Sequence, residues 1–118
     1  MKRLLEITLT GEIPSKKNAW RRGANGGMFI PKELKKELDD FLYQLKKFKP
    51  REPIGVPVRI EMAIHSKDKR RDLDNRQTTI LDLLQKAMII KNDRQAKHLK
   101  ADLHETLPPM VYVDIFSV

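Results

Sequence analysis

The sequence predicts an α/β domain, a mixed sheet of about four strands with two main helices. Three observations carry that prediction. Apolar residues alternate at period two in residues 4–10 and 56–65, the mark of strands with one buried face. They recur at spacings of three and four in residues 34–48 and 80–88, the mark of helices with an apolar stripe. The two kinds of segment interleave along the chain, which is the order that builds helices onto a sheet. With 118 residues and 40% hydrophobic content, the chain can bury one ordinary core and not two, so residues 1–118 form a single domain by expectation.

Taken in order, "LLEITLT" at 4–10 mixes β-branched residues with period-two polarity and stops at Gly11, giving the first strand. Residues 11–31 follow as a long loop with Pro14, three glycines beyond position 22 and a basic cluster of Lys16, Lys17, Arg21 and Arg22. A loop of that length in a small domain is a candidate for function. Trp20 among those cations suits stacking on a base or sugar, and equally suits anchoring the loop on the core.

From Pro31, Leu34, Leu38, Phe41, Leu42, Leu45 and Phe48 line one face of a helix whose lysines and acids read as its solvated side. A proline-containing linker leads into "VPVRIEMAIH", where Val56, Val58, Ile60, Met62 and Ile64 alternate over the longest strand-like run. Ile80, Leu83, Leu84, Ala87 and Met88 then mark a helix over 75–88, and "IIKNDRQ" is the turn that ends it. Leu99, Ala101 and Leu103 alternate weakly over 95–103, and "MVYVDIFSV" closes the chain as a last strand.

Charge and composition narrow the partners. Lys and Arg number 24 against 16 Asp and Glu, a formal charge of +8, which favours nucleic acid or another anion. The chain has no cysteine, so disulfides and thiolate zinc sites are excluded and any chemistry uses oxygen and nitrogen groups. Glu6 and Glu12 interrupt the first apolar run, unlike a signal peptide, and no segment approaches the roughly 20 apolar residues that span a bilayer, so the expected location is the cytoplasm, away from membrane.

The densest chemistry lies in "KDKRRDLDNRQ" at 67–77, where Lys67, Lys69, Arg70, Arg71 and Arg76 surround Asp72 and Asp74. Residues two apart point to the same side only on extended chain, so the two carboxylates converge if the preceding strand persists through them. Asp74 or Asn75 is also a good helix N-cap, and Asp74 with Gln77 matches a capping box. Two like charges held close need a cation or a shared proton. The neighbouring lysines and arginines could supply a salt bridge. Mg²⁺, which takes one or two carboxylates with phosphate and water, is the sharper reading, with the basic residues meeting the phosphates.

A third acid would complete such a site. Asp93 is preferred because a chain that leaves the strand, follows a helix and turns back can return near the sheet end. Asp82 reads as an exposed helix position, Asp102 as a strand position facing solvent, and Asp68 is flanked by lysines. His65, His98 and His104 share no metal-ligand spacing and read as ordinary strand or surface residues.

The string "RRDLDN" at 70–75, the amphipathic helix behind it, the acid at Asp93 and the N-terminal "IPSKKN" together resemble the RusA family of endodeoxyribonucleases, Holliday-junction resolvases of bacteria and their phages. The resemblance runs from about residue 5 to the C-terminus. It implies a RusA-like homodimeric α/β nuclease that binds four-way DNA junctions and cuts paired strands symmetrically, using Mg²⁺ or Mn²⁺. It places the family's metal-site and catalytic aspartates on Asp72, Asp74 and Asp93. The family's catalytic lysine, four positions beyond the second aspartate, falls on Thr78, which carries no charge. Arg76, Lys86, Lys16 and Lys17 are candidate substitutes for it. Lys16, Lys17, Arg21, Arg22, Lys67, Lys69, Arg70, Arg71 and Arg76 are the expected DNA contacts, holding backbone with little base specificity. The rival readings are a basic nucleic-acid-binding module without catalysis, kept alive by the missing lysine, and a nuclease for other branched DNA.

Overall fold

A computed structural model describes residues 2–14, 21–22, 28–29, 31–67 and 73–118, with only the backbone of 21–22 and 28–29 described. Strand β1, Arg3–Thr10, buries Ile7 and Leu9 through its alternation. Within the long loop a short antiparallel ribbon pairs β2, Arg21–Arg22, with β3, Met28–Phe29. Two-residue strands leave no period to detect, so the sequence reads there as loop alone.

Helix α1, Lys32–Leu45, buries Leu34, Leu38, Phe41 and Leu45, the stripe expected from spacing. It tightens into a 3₁₀ turn at Lys46–Phe48 instead of running on as α-helix. Strand β4, Val58–His65, puts Val58, Ile60, Met62 and Ile64 in the core. Val56, expected inside it, lies outside and is half exposed, because Pro57 cannot donate to a ladder.

Helix α2 spans Leu73–Lys86, two residues earlier than the spacing predicts. Its earlier end has a local cause. Met88 takes φ 62°, Ile89 N–H donates to Leu84 C=O at 3.0 Å and Met88 N–H to Gln85 C=O at 3.1 Å, a Schellman stop. Met88 therefore leaves the apolar face assigned to it and is half exposed, while Ile89 takes its place in the core. Strands β5, Ala96–His104, and β6, Met110–Ser117, complete a four-stranded sheet of order β1-β6-β4-β5.

Pairing in that sheet sets where function can lie. β6 runs antiparallel to β1 and β4, and β5 runs parallel to β4, so the sheet is mixed as expected. The buried side chains of both helices and the core-facing residues of the strands form one cluster, which puts the helices on one sheet face. The opposite face carries Glu61, Lys100, Asp102, Tyr112 and Asp114 along a shallow groove. A parallel pair needs a crossover, and α2 is that crossover between β4 and β5. No described helix is long and apolar enough to cross a membrane.

Candidate active site

The strand-to-helix junction after β4 is built from three segments. β4 ends at His65, α2 begins at Leu73, and the end of β1 lies alongside. Glu12 joins them: its carboxylate accepts from Lys67 N–H at 3.3 Å and from Arg76 Nη1 at 3.0 Å. Arg76 is buried, its side chain 5% exposed against 31% for Glu12. A guanidinium so enclosed fixes the start of α2 to the end of β1; it does not reach out to a phosphate backbone. Arg76, an expected DNA contact and a candidate substitute for the missing lysine, is thus placed against Glu12 and away from the exposed surface. A signal for this was present, since Arg76, Ile80, Leu83 and Leu84 fall at i, i+4, i+7 and i+8 on the core stripe of α2. Glu12, the partner that such an arginine requires, carried no comparable mark.

Asp74 stands in the first turn of α2 and is exposed. Thr78 Oγ1 donates to Asp74 C=O and Thr79 Oγ1 to Asn75 C=O, each at 2.9 Å, so both backbones are already helical. Asp74 and Asn75 are thus inside the helix and not its N-cap. The chain is not extended through 73 and 74, so strand alternation is not what would bring Asp72 and Asp74 together. Free N–H groups and the helix dipole at this end favour a carboxylate in the first turn. Asp72 itself, with Asp68, Lys69, Arg70 and Arg71, lies outside the described residues, as do Lys16, Lys17, Asn18 and Trp20 and the side chains of Arg21 and Arg22. Lys67 is exposed beside the junction.

Asp93 lies elsewhere. It opens a 3₁₀ turn at Asp93–Gln95 and its N–H donates to Gln85 Oε1 at 3.2 Å, in the last turn of α2. Gln95 pins that turn to the approach of β4, donating to Ile54 C=O at 2.6 Å and Val56 C=O at 2.9 Å. Eleven helical residues separate Asp74 from Gln85, about 16 Å at 1.5 Å per residue. The expectation that Asp93 returns to the sheet end of Asp74 is therefore overturned. The parallel pairing of β4 and β5 requires the chain to travel back along the whole sheet before β5 begins, which leaves the two acids at opposite ends. Among the described residues no group of three or more His, Asp or Glu side chains is close enough to hold an ion.

The competing acids also find their places. Asp82 is half-buried, correcting its reading as exposed, and lines a cleft of about 170 Å³ between α1 and α2 with Lys35, Asp39 and Lys86. Lys86 lies twelve residues along α2 from Asp74, about 18 Å away, too far to replace a cation near it in the same chain. Asp102 is exposed on β5. His65 and His104 stack at 4.9 Å and His65 meets the edge of Tyr112 at 5.4 Å, with Nδ1 hydrogen-bonded to Thr106 Oγ1. His98 is exposed.

The chain belongs to the endodeoxyribonuclease RusA family, whose family model matches residues 11–116. The match takes in everything from the long loop to the last strand, including both candidate acidic segments. A comparison with curated proteins finds no significant match.

Proposed function

We propose that this protein resolves four-way DNA junctions by divalent-metal-dependent cleavage of paired strands, acting as a homodimer. The observation that carries the reading is the exposed Asp74 at the N-terminus of the crossover helix, directly behind "KDKRRD", in a chain that belongs to an endodeoxyribonuclease family. Oxygen-only donors suit a hard cation, and Asp72 with Asp74, water and a substrate phosphate make the kind of set that Mg²⁺ or Mn²⁺ takes. Bound there, the ion would lower the pKa of a water and offset charge on the scissile phosphate. The remaining work falls to the chain: Glu12 and Arg76 hold the start of α2, and Lys67, Lys69, Arg70 and Arg71 draw in the DNA backbone with an affinity that falls with salt. Lys16, Lys17, Arg21 and Arg22 would extend that contact.

Asp93 enters through a second copy. A junction has twofold symmetry, so two sites related by a twofold axis match it. That axis also offers a way for Asp93 of one copy to reach Asp74 of the other. Incubation with a synthetic four-way junction and Mg²⁺ tests the reading. The expected result is paired nicking that vanishes in Asp72→Asn while junction binding stays. Binding without nicking in either Mg²⁺ or Mn²⁺ would refute it, and equal cutting of duplex, flap and four-way substrates would refute junction selectivity.

The non-catalytic reading draws on Thr78, whose hydroxyl is spent on the Asp74 carbonyl and which brings no cation to the first turns of α2. With Arg76 buried and Lys86 distant, Lys16, Lys17 and Lys67 remain as sources of that charge. Thr78 is exposed, so Thr78→Lys should fold as well as wild type and nick junctions faster. An unchanged single-turnover rate would mean that another cation already serves.

A further inference from the structure

We infer that Gln95, with Gln85 beside it, is a positioning residue for the Asp93 carboxylate. The inference rests on the resolvase reading for the part Asp93 plays at a metal; the choice of residues rests on the turn that carries it. Asp93 is exposed, and among the described residues its carboxylate takes no hydrogen bond or ion pair. Only its backbone fixes it in space. Every backbone N–H from Lys91 to Gln95 has an acceptor inside the chain: Lys91 and Asn92 N–H donate to Gln95 Oε1 at 2.8 Å, Asp93 N–H to Gln85 Oε1 at 3.2 Å, Arg94 N–H to Asn92 Oδ1 at 2.9 Å and Gln95 N–H to Asn92 C=O at 3.1 Å. Residues 91–94 are exposed, so water would satisfy these groups without help. The chain holds them itself.

Gln95 does more than close the turn. Its Nε2 donates to Ile54 C=O at 2.6 Å and to Val56 C=O at 2.9 Å, so both donors and both acceptor sites of the amide are in use. A carboxylate in its place could accept but not donate, and a methionine could do neither. The carbonyls it reaches belong to the segment that leads into β4, which also touches the end of α2 through the Ile54 and Ile90 bridge. The turn is therefore tied to α2 by Gln85 and to the approach of β4 by Gln95. These are the same two elements whose junction carries Asp74. Both acids thus take their positions from one rigid frame, although they stand far apart on it.

A ligand held only through its backbone needs that backbone held, because groups behind a metal ligand tune affinity by keeping it in place. A plain staple for the fold would make the same hydrogen bonds, and the two roles part in what they move. Loss of a staple lowers the thermal midpoint and leaves the metal dependence alone. Loss of a positioning residue shifts the metal dependence while the fold stays. Gln85 separates them well: it is exposed on α2, where alanine suits the helix, yet it is the acceptor for Asp93 N–H.

Gln95→Met and Gln85→Ala test the inference, with Val113→Ala, a core substitution on the inner strand β6, as the control for lost stability. Junction nicking is titrated with Mg²⁺ well below each protein's thermal midpoint. Gln95→Met should need about tenfold more Mg²⁺ for half-maximal rate, and Gln85→Ala should shift the same way by less, both with junction binding and the rate at saturating Mg²⁺ largely kept. Val113→Ala should keep the wild-type half-saturation despite its lower midpoint. In metal-free Gln85→Ala the Asp93 amide should exchange hydrogen faster while the amides of β4 exchange as in wild type. An unmoved half-saturation or unmoved Asp93 exchange in Gln85→Ala, or a shift in Val113→Ala equal to that in Gln95→Met, would overturn the inference; Gln85→Ala decides alone if Gln95→Met does not fold. Wild type that binds junctions without nicking them refutes the resolvase reading and the inference with it, whereas nicking whose Mg²⁺ dependence ignores both glutamines refutes the inference alone.

Discussion

An equimolar mixture of Asp74→Asn and Asp93→Asn chains should nick four-way junctions although neither variant does so alone. The expectation comes from the crossover geometry: in one chain Asp74 stands in the first turn of α2 and Asp93 bonds to Gln85 in its last, a span of about 16 Å of helix between Asp74 and Gln85. If each site takes Asp74 from one copy and Asp93 from the other, a mixed dimer places both substitutions in one site and leaves the second intact. Random exchange makes about half the dimers mixed, so roughly a quarter of wild-type sites recover. Resolution needs both sites, so recovery should show as single nicks and not as paired cuts. Mixtures as inactive as the separate variants, after exchange has been verified by co-purification of an untagged variant with a tagged one, would show that Asp93 does not act across a dimer. A fully active Asp93→Asn would remove it from the site altogether. Both substitutions are at exposed positions, so loss of folding should not confuse the result.

The division between what the sequence revealed and what it hid follows from the range of the interactions involved. β4 and α1 were legible because a single stripe of side chains, such as Val58, Ile60, Met62 and Ile64, meets a single core, and period alone reports that. The start of α2 was misjudged by two residues because Asp74 and Asn75 look like caps whatever turn precedes them. Its end was misjudged because Met88, without the usual glycine, takes the left-handed conformation that stops the helix. Local spacing and basic surroundings are enough to make Asp74 a candidate. They cannot fix its position relative to Asp93, which depends on whether β5 runs parallel or antiparallel to β4, a fact of the whole sheet. Glu12 was missed for the same reason: 64 residues separate it from Arg76, and nothing near Glu12 announces the contact.

That contact leads to the largest expected effect on stability. Arg76→Met should lower stability by about 2–4 kcal/mol, because it leaves the Glu12 carboxylate part-buried without its cation; the partial exposure of Glu12 keeps the cost below that of a fully enclosed pair. For a chain of this length the thermal midpoint should fall by about 10 °C. Adding Glu12→Gln removes the stranded charge while keeping an acceptor for Lys67 N–H, so the double variant should be more stable than Arg76→Met alone. Thermal or urea unfolding of the four proteins completes the cycle, and a coupling energy near zero would mean that the pair does not hold the junction together. The double variant also separates stability from position. Arg76 and Glu12 set where the first turn of α2 sits relative to β1 and β4, and misplacing Asp74 by a fraction of an ångström would be costly for the proposed metal-dependent cleavage. Junction cleavage should therefore stay reduced in the double variant even where its midpoint recovers, whereas a purely stabilising ion pair would return activity along with the fold.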